Sequence, residues 1–355
     1  MWGGAPPPFA DQKWLLGSSQ GGPSDRRPAV FLHGMWRSGS TFLWTRFRED
    51  PQTCCFYEPL HHSLCKLTPE RIAQDTAERI TASRHPAMAD PYFAEFAPLV
   101  GGKGVRGFRK RLAYDRFVLE PGACDPMLKR YVTGLIEHAQ GQGRAAVLGF
   151  NRTGLRLGWM KAQFDAYNIY IDREPTAIWA SYAAELARGN CGFYSLWLTV
   201  LEKNARHPVF APLVERLGLT PPVTGLLRKP KKRHREVLAE MNQEELYFMV
   251  FYLWLACTGH ALAQSDLVID TRLAETRHYG ARISAEIRRA TGLAVDLSEM
   301  RAAEPRVELS LVMRDRIERS AVAMFPRHAL PRNPAAARCL ASVSPRKAER
   351  LAAVV

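Results

Sequence analysis

The chain has no Cys-x-x-Cys pair, and none of its His, Cys or acidic residues recur at the spacings that seat zinc, so no metal site is predicted. Its seven cysteines are an odd number, and Cys54-Cys55 is a vicinal pair inside an apolar segment. All seven read as structural or incidental thiols rather than a disulfide framework. No apolar run reaches the roughly 18–20 residues of a membrane span. The richest, Leu246 to Leu255, is short and carries Tyr247, Tyr252 and Trp254. The opening Met1-Trp2-Gly3-Gly4-Ala5-Pro6-Pro7-Pro8 lacks a basic region followed by an apolar core, so no secretory signal is visible. These absences predict a soluble, cytoplasmic protein.

Negative charge is also scarce. Against 49 Lys and Arg stand 35 Asp and Glu, a formal net charge of +14. Such a balance suits nucleic acid, or an enzyme whose ligands are themselves polyanions and are steered in by a positive field. The densest basic run is Arg228-Lys229-Pro230-Lys231-Lys232-Arg233-His234-Arg235. It reads either as a solvated loop or helix lead-in, or as a contact for an anionic acceptor. With 355 residues, 46% of them hydrophobic and 24% charged, the chain can bury a full core.

Residues 1–27 are rich in Gly, Pro and Ser and predict a loose tail. Strands are predicted over 28–34, 53–57, 145–150, 167–172 and 266–270. Helices are predicted over 40–50, 154–165, 175–188, 240–264 and 279–291, the last closed by Gly292. The span 60–145 reads as mostly helical. Strands alternating with helices indicate an α/β fold, with a parallel sheet covered by helices on both faces. Residues 28–325 form a single such domain, with 190–240 as a basic, helical insertion or acceptor-binding subdomain. The tail from 326 to 355 is either a docking arm or disordered.

The strongest local signal is Val30-Phe31-Leu32-His33-Gly34-Met35-Trp36-Arg37-Ser38-Gly39-Ser40-Thr41. An apolar strand enters a turn flanked by Gly34 and Gly39, and the turn opens a helix. Several backbone N–H groups and a helix N-terminus then converge on one spot, which is an anion site. A nucleoside-triphosphate P-loop reads G-x-x-x-x-G-K-[ST], and its lysine reaches the β- and γ-phosphates. Here the glycine spacing is kept, but Ser40 replaces the lysine and the cation comes earlier, at Arg37.

That departure resembles the 5′-phosphosulfate loop of sulfotransferases that use 3′-phosphoadenosine-5′-phosphosulfate (PAPS). The Arg-Ser-Gly-Ser form is most similar to the carbohydrate and tyrosyl-protein branches. Two further segments resemble the family in the right order. Thr53-Cys54-Cys55-Phe56-Tyr57-Glu58-Pro59-Leu60-His61-His62 resembles the second strand and its Glu-Pro end. Ile169-Tyr170-Ile171-Asp172-Arg173-Glu174-Pro175 resembles the 3′-phosphate site, with Ser181 eight residues beyond Arg173. The resemblance covers residues 28–62 and 145–185. Departures are Glu174 where the family has Asp, Asp270-Thr271-Arg272-Leu273 in place of a Tyr-Glu-Asp-Leu segment, and no Arg-Lys-Gly loop.

The resemblance implies a P-loop-type α/β fold and a PAPS-dependent sulfotransferase acting on an acceptor hydroxyl of a carbohydrate, glycolipid or small natural product, with an anionic acceptor among the options. Arg37, Ser38, Gly39, Ser40 and Thr41 would hold the 5′-phosphosulfate, with Phe42 a candidate for adenine stacking or for the core. Arg173 and Ser181 would grip the 3′-phosphate. Glu58 is the candidate general base, with His61 and His62 as rivals. Arg152 would supply a second cation, or is an ordinary surface arginine. Two rival functions remain: a phosphotransferase in which Asp172 binds Mg²⁺, and a non-catalytic basic protein that binds polyanions.

Overall fold

A computed structural model describes residues 28–74, 88, 90–219, 230–302, 309–326, 340 and 343–354. The expected N-terminal tail, 1–27, lies outside the described residues. Strand β1 (Ala29–Gly34), β2 (Thr53–Tyr57) and a two-residue pair, β3 (Val100–Gly101) with β4 (Gly104–Val105), precede β5 (Ala145–Phe150), β6 (Ala166–Asp172) and β7 (Leu267–Asp270). The main sheet has the order β2-β5-β1-β6-β7, and every pairing in it is parallel. β1, β2, β5 and β7 are buried at every position, as strands covered on both faces must be.

Helices flanking the sheet among the described residues include α1 (Ser40–Arg48), α2 (Pro126–Gly141), α3 (Leu157–Gln163), α4 (Pro175–Ala187), α5 (Gly192–Lys203), α6 (Gln243–Leu262), α7 (Tyr279–Thr291), α8 (Leu311–Met324) and α9 (Pro345–Ala352). Alternate strand residues serve opposite layers. Val30, Leu32, Val147 and Ile171 join Leu43 and Phe47 of α1 and Ile283 and Ile287 of α7. Phe31, Phe56 and Leu148 face the other way, toward apolar residues of α2 to α6.

α6 is apolar on all sides because it is a core helix. Its residues from Leu246 to Leu262 are all buried. Its start is set by a capping box, in which Asn242 Oδ1 accepts from Glu245 N–H at 3.0 Å and Glu245 Oε2 accepts from Asn242 N–H at 2.9 Å. Among the described residues it alone is long and apolar enough to cross a membrane, and 94% of that stretch lies inside the fold.

One expectation is corrected. The span 60–145 is not mostly helical. Apart from α2 it holds short turns of helix, such as Pro69–Ala73 and Arg111–Tyr114, and the β3–β4 pair. Gly104 and Gly107 sit at φ 78° and 76°, outside helical space, and break the run; residues 75–87 and 89 are outside the described set. The described part of the basic run lies on a helix, one of the alternatives left open by the sequence. Arg228 and Lys229 are outside the described residues, while Lys232 and Arg235 are exposed on the helix Pro230–Glu240. Arg233 pairs with Glu202, and His234 is buried with Nδ1 2.7 Å from Ser195 Oγ. Arg233 and His234 therefore tie this helix to α5. Of the two alternatives for the C-terminal arm, the part described as α9 is docked, with Lys347 and Leu351 buried.

β1 lies between β5 and β6, and the chain leaves it for β2 on one side and reaches β6 and β7 on the other. That reversal opens a crevice at the carboxyl ends of the strands. Gly34, Tyr57, Phe150, Asp172 and Asp270 end the five strands there, so every residue just after them is delivered to one edge.

Candidate functional site

After β1 the chain doubles back. Ser38 N–H donates to the Met35 carbonyl at 3.1 Å, closing a turn against the strand end. Only glycine fits at 34, because a Cβ there would lie 2.5 Å from Ser38 Oγ and 2.9 Å from Ile171 Cγ2. Gly39 takes φ 101° and is the N-cap of α1. With no side chain at that position, the first amides of α1 have neither a carbonyl in a preceding turn nor a capping oxygen. Arg37 is held at φ 68°, a left-handed conformation that a bulky residue adopts at a cost of about 1–2 kcal/mol.

Arg37 Nε donates to Ser181 Oγ of α4 at 2.8 Å, and Arg173 Nη1 donates to the Arg37 carbonyl at 2.7 Å. Residues assigned to two ends of one ligand thus form a single cluster. Arg173 has no carboxylate partner among the described residues, and its Nε is buried without a hydrogen bond. Burial, with the Arg37 charge beside it, lowers its pKa to about 10. Two guanidinium groups at a helix N-terminus fit an anion.

Glu58 follows β2 at φ 39° and is buried. Asn151 Nδ2 donates to its Oε1 at 3.0 Å and Arg152 Nη1 to its Oε2 at 2.6 Å. Burial alone would lift this carboxyl, but Arg152, His61 and the two hydrogen bonds outweigh it and hold the pKa at about 2. Glu58 is therefore ionised at neutral pH. Asn151 also accepts from Ser40 Oγ at 2.7 Å, so the carboxylate is tied to the start of α1 through one amide. Thr41 Oγ1 lies 3.1 Å from the Tyr57 hydroxyl.

Arg152 is no surface arginine. It is 1% exposed, with its guanidinium carbon 4.9 Å from the centre of the Trp36 ring. His61 caps the following turn, its Nδ1 2.6 Å from Ser63 Oγ, and burial with the Arg152 charge lowers its pKa to about 3 against the opposing pull of Glu58. The His61 and His62 rings lie 4.5 Å apart between centres and tilted by 31°, and the His62 ring centre lies 5.9 Å from that of Tyr114. The loop, Glu58, Asn151, Arg173 and Phe193 enclose a cavity of about 270 Å³, with Phe42 on its wall. Phe42 also touches the apolar layer under α1 and carries Arg46 at 5.3 Å from its ring.

Of the residues singled out from the sequence, Arg37, Gly39, Ser40, Thr41, Phe42, Glu58 and Arg173 line this cavity, Arg152 and Ser181 are bonded to two of them, and Ser38, His61 and His62 are not part of its lining. Missing from that set were Asn151, Trp36 and Phe193, which line the cavity or brace its charges. Asn151 was visible as the neighbour of Arg152 at a strand end, whereas Trp36 and Phe193 gave no signal beyond apolarity. A larger cavity of about 500 Å³, lined by Arg48, Asp50, Glu95 and Arg144 among others, lies at the opposite end of the strands. It holds an Arg48–Glu95 pair at 2.6 Å and none of the loop residues.

No family model matches the chain, and no solved structure matches it. Over 122 residues it is 41% identical to carbohydrate sulfotransferase 2 of Homo sapiens. That stretch is 33% of this chain and 22% of the human protein, so the chain spans about a fifth of that relative's length.

Proposed function

We propose that this chain is a sulfotransferase with a P-loop-type site that takes the sulfuryl group of PAPS to an acceptor hydroxyl on a carbohydrate, glycolipid or small natural product. The observation that carries the reading is the Arg37–Ser181–Arg173 cluster at the open N-terminus of α1, in a loop without the lysine of nucleotide triphosphatases. The partial likeness to a carbohydrate sulfotransferase points to the same chemistry. The buried, unpartnered Nε of Arg173 is what a site built for an additional phosphate should contain.

PAPS would supply an activated sulfuryl group with a phosphate as its leaving group. Arg37 and the first amides of α1 would hold the phosphosulfate and neutralise the charge that grows on the leaving oxygen. Arg173 and Ser181 would hold the 3′-phosphate. Glu58 would take the acceptor proton. With a pKa of about 2 it is a weak base toward a free hydroxyl, and proton transfer becomes favourable only as the acceptor oxygen turns acidic on bonding to sulfur. Arg152 sits behind Glu58 and would set the orientation and charge of its carboxylate rather than touch the ligand.

The phosphotransferase alternative loses its metal ligand, because both Asp172 oxygens are engaged by protein donors. Calorimetric titration with 3′,5′-adenosine bisphosphate (PAP), ADP and ATP–Mg²⁺ tests the proposal. Tight PAP binding with weak ADP binding upholds it. ATP–Mg²⁺ binding without PAP binding overturns it in favour of a kinase, and steeply salt-dependent nucleic-acid binding unaffected by Arg37→Ala would make the chain a polyanion binder.

A further inference from the structure

Directly before Arg173, a lysine and two acidic side chains are sealed inside the protein. Lys347 of α9 places Nζ 2.7 Å from Asp172 Oδ2 and 2.6 Å from Asp270 Oδ1. Asp172 and Asp270 are register partners at the ends of β6 and β7, and the three residues are 1%, 0% and 2% exposed for Asp172, Asp270 and Lys347. The remaining oxygens are also taken. Asp172 Oδ1 accepts from Trp254 Nε1 at 2.8 Å and Thr258 Oγ1 at 3.2 Å, and Asp270 Oδ2 accepts from Ser344 N–H at 2.8 Å.

Stability alone does not account for such a cluster. Buried ion pairs are commonly no better than apolar groups of the same volume, and this one keeps an excess negative charge. Its position does account for it. The residue on the other side of Arg173, Glu174, is paired with Arg314 of α8. Arg314 also donates to Glu318 at 2.7 Å, and Glu318 accepts from Tyr247 of α6 at 2.6 Å and from Arg350 of α9 at 3.2 Å. Both neighbours of Arg173 are thus gripped by the C-terminal helices, and Arg173 in turn holds the carbonyl of Arg37 in the anion loop.

We infer that Lys347 is a positioning residue for Arg173: α9 holds Asp172 on one side of it while α8 holds Glu174 on the other, so that the guanidinium is fixed for the 3′-phosphate. This rests on the PAPS reading above. It makes the last dozen residues part of the nucleotide site without any contact to the nucleotide.

The test uses the full chain. Lys347→Met leaves two buried carboxylates unpaired and can fail to fold, so it is accompanied by Asp172→Asn/Lys347→Met, which keeps the wild-type charge of the cluster. The double variant should melt cooperatively, lose at least tenfold in PAP affinity, and keep its ADP affinity within twofold. Amides 172–178 should exchange hydrogen faster than in the wild type. A merely structural role would lower the melting temperature and leave the PAP-to-ADP ratio unchanged, and an unchanged ratio overturns the inference. If the wild type itself does not prefer PAP over ADP, the functional reading fails, and the lock is then decided by exchange at 172–178, where no change overturns it.

Discussion

Glu58→Gln should destabilise the protein by about 3 kcal/mol at pH 7. The carboxyl moves from an ordinary 4.5 to about 2 on folding, and each unit is worth about 1.4 kcal/mol, so the ionised form gains about 3 kcal/mol. A second route gives a similar figure. Removing the charge strands Arg152 at 1% exposure, and breaking a buried pair costs about 3–5 kcal/mol. Because the folded value is depressed, this stabilisation is fully present above pH 4.5 and is lost as pH falls toward 2. Urea unfolding of wild type and variant at a series of pH values reads the difference. It should be about 3 kcal/mol at pH 7 and shrink to about 1 kcal/mol near pH 3. A variant as stable as the wild type at pH 7, or a difference that does not change with pH, would refute the ion pair as described. Loss of turnover with PAP binding retained would add that Glu58 also serves as the base.

Other outcomes follow from the same geometry. Arg173→Ala should weaken PAP by about 10- to 100-fold, the worth of a charge-assisted hydrogen bond, while ADP affinity stays the same in calorimetry. If Glu58 or His61 is the base, kcat/KM should show no acid limb from either between about pH 5 and 8, since they titrate at about 2 and about 3; an inflection near pH 6.5 would remove both. Gly39→Val forces a β-branched residue to φ 101° and should abolish PAP binding while leaving a folded protein by circular dichroism. Arg156 donates to the carbonyls of Leu112, Asp115 and Arg116 at 2.8, 2.6 and 3.0 Å, so Arg156→Met should cost about 2–4 kcal/mol in urea unfolding.

Much of the site could be read in advance because it is built from strand ends. The strand predicted over 53–57 is β2, and the one over 145–150 is β5. A parallel α/β sheet sends residues that follow a strand to the same edge, which placed Glu58 there in advance, whereas Arg37, Arg152 and Arg173 were grouped with it by the family resemblance. The rest escaped for identifiable reasons. Between residues 60 and 125, glycine and proline break the helical pattern into turns whose course is set by what they pack against. Arg152 and Arg156 look alike in sequence, yet one neutralises Glu58 and the other is spent on backbone carbonyls.

The sequence by itself determined the class of fold, the glycine-flanked turn that opens the first helix and the order of the strands along the chain. These depend on local chemistry, namely apolar runs, glycine spacing and helix starts, which a window of a dozen residues contains. Only the tertiary structure decided that Arg37 and Ser181 share one hydrogen bond, that Glu58 is held ionised by Arg152, and that Lys347 lies between Asp172 and Asp270. Those partners are from 77 to 175 residues apart. Contacts at that range leave no periodicity in the chain, and Glu58 stays ionised because a distant arginine and amide outweigh the cost of burial, a balance that exists only once the core has closed.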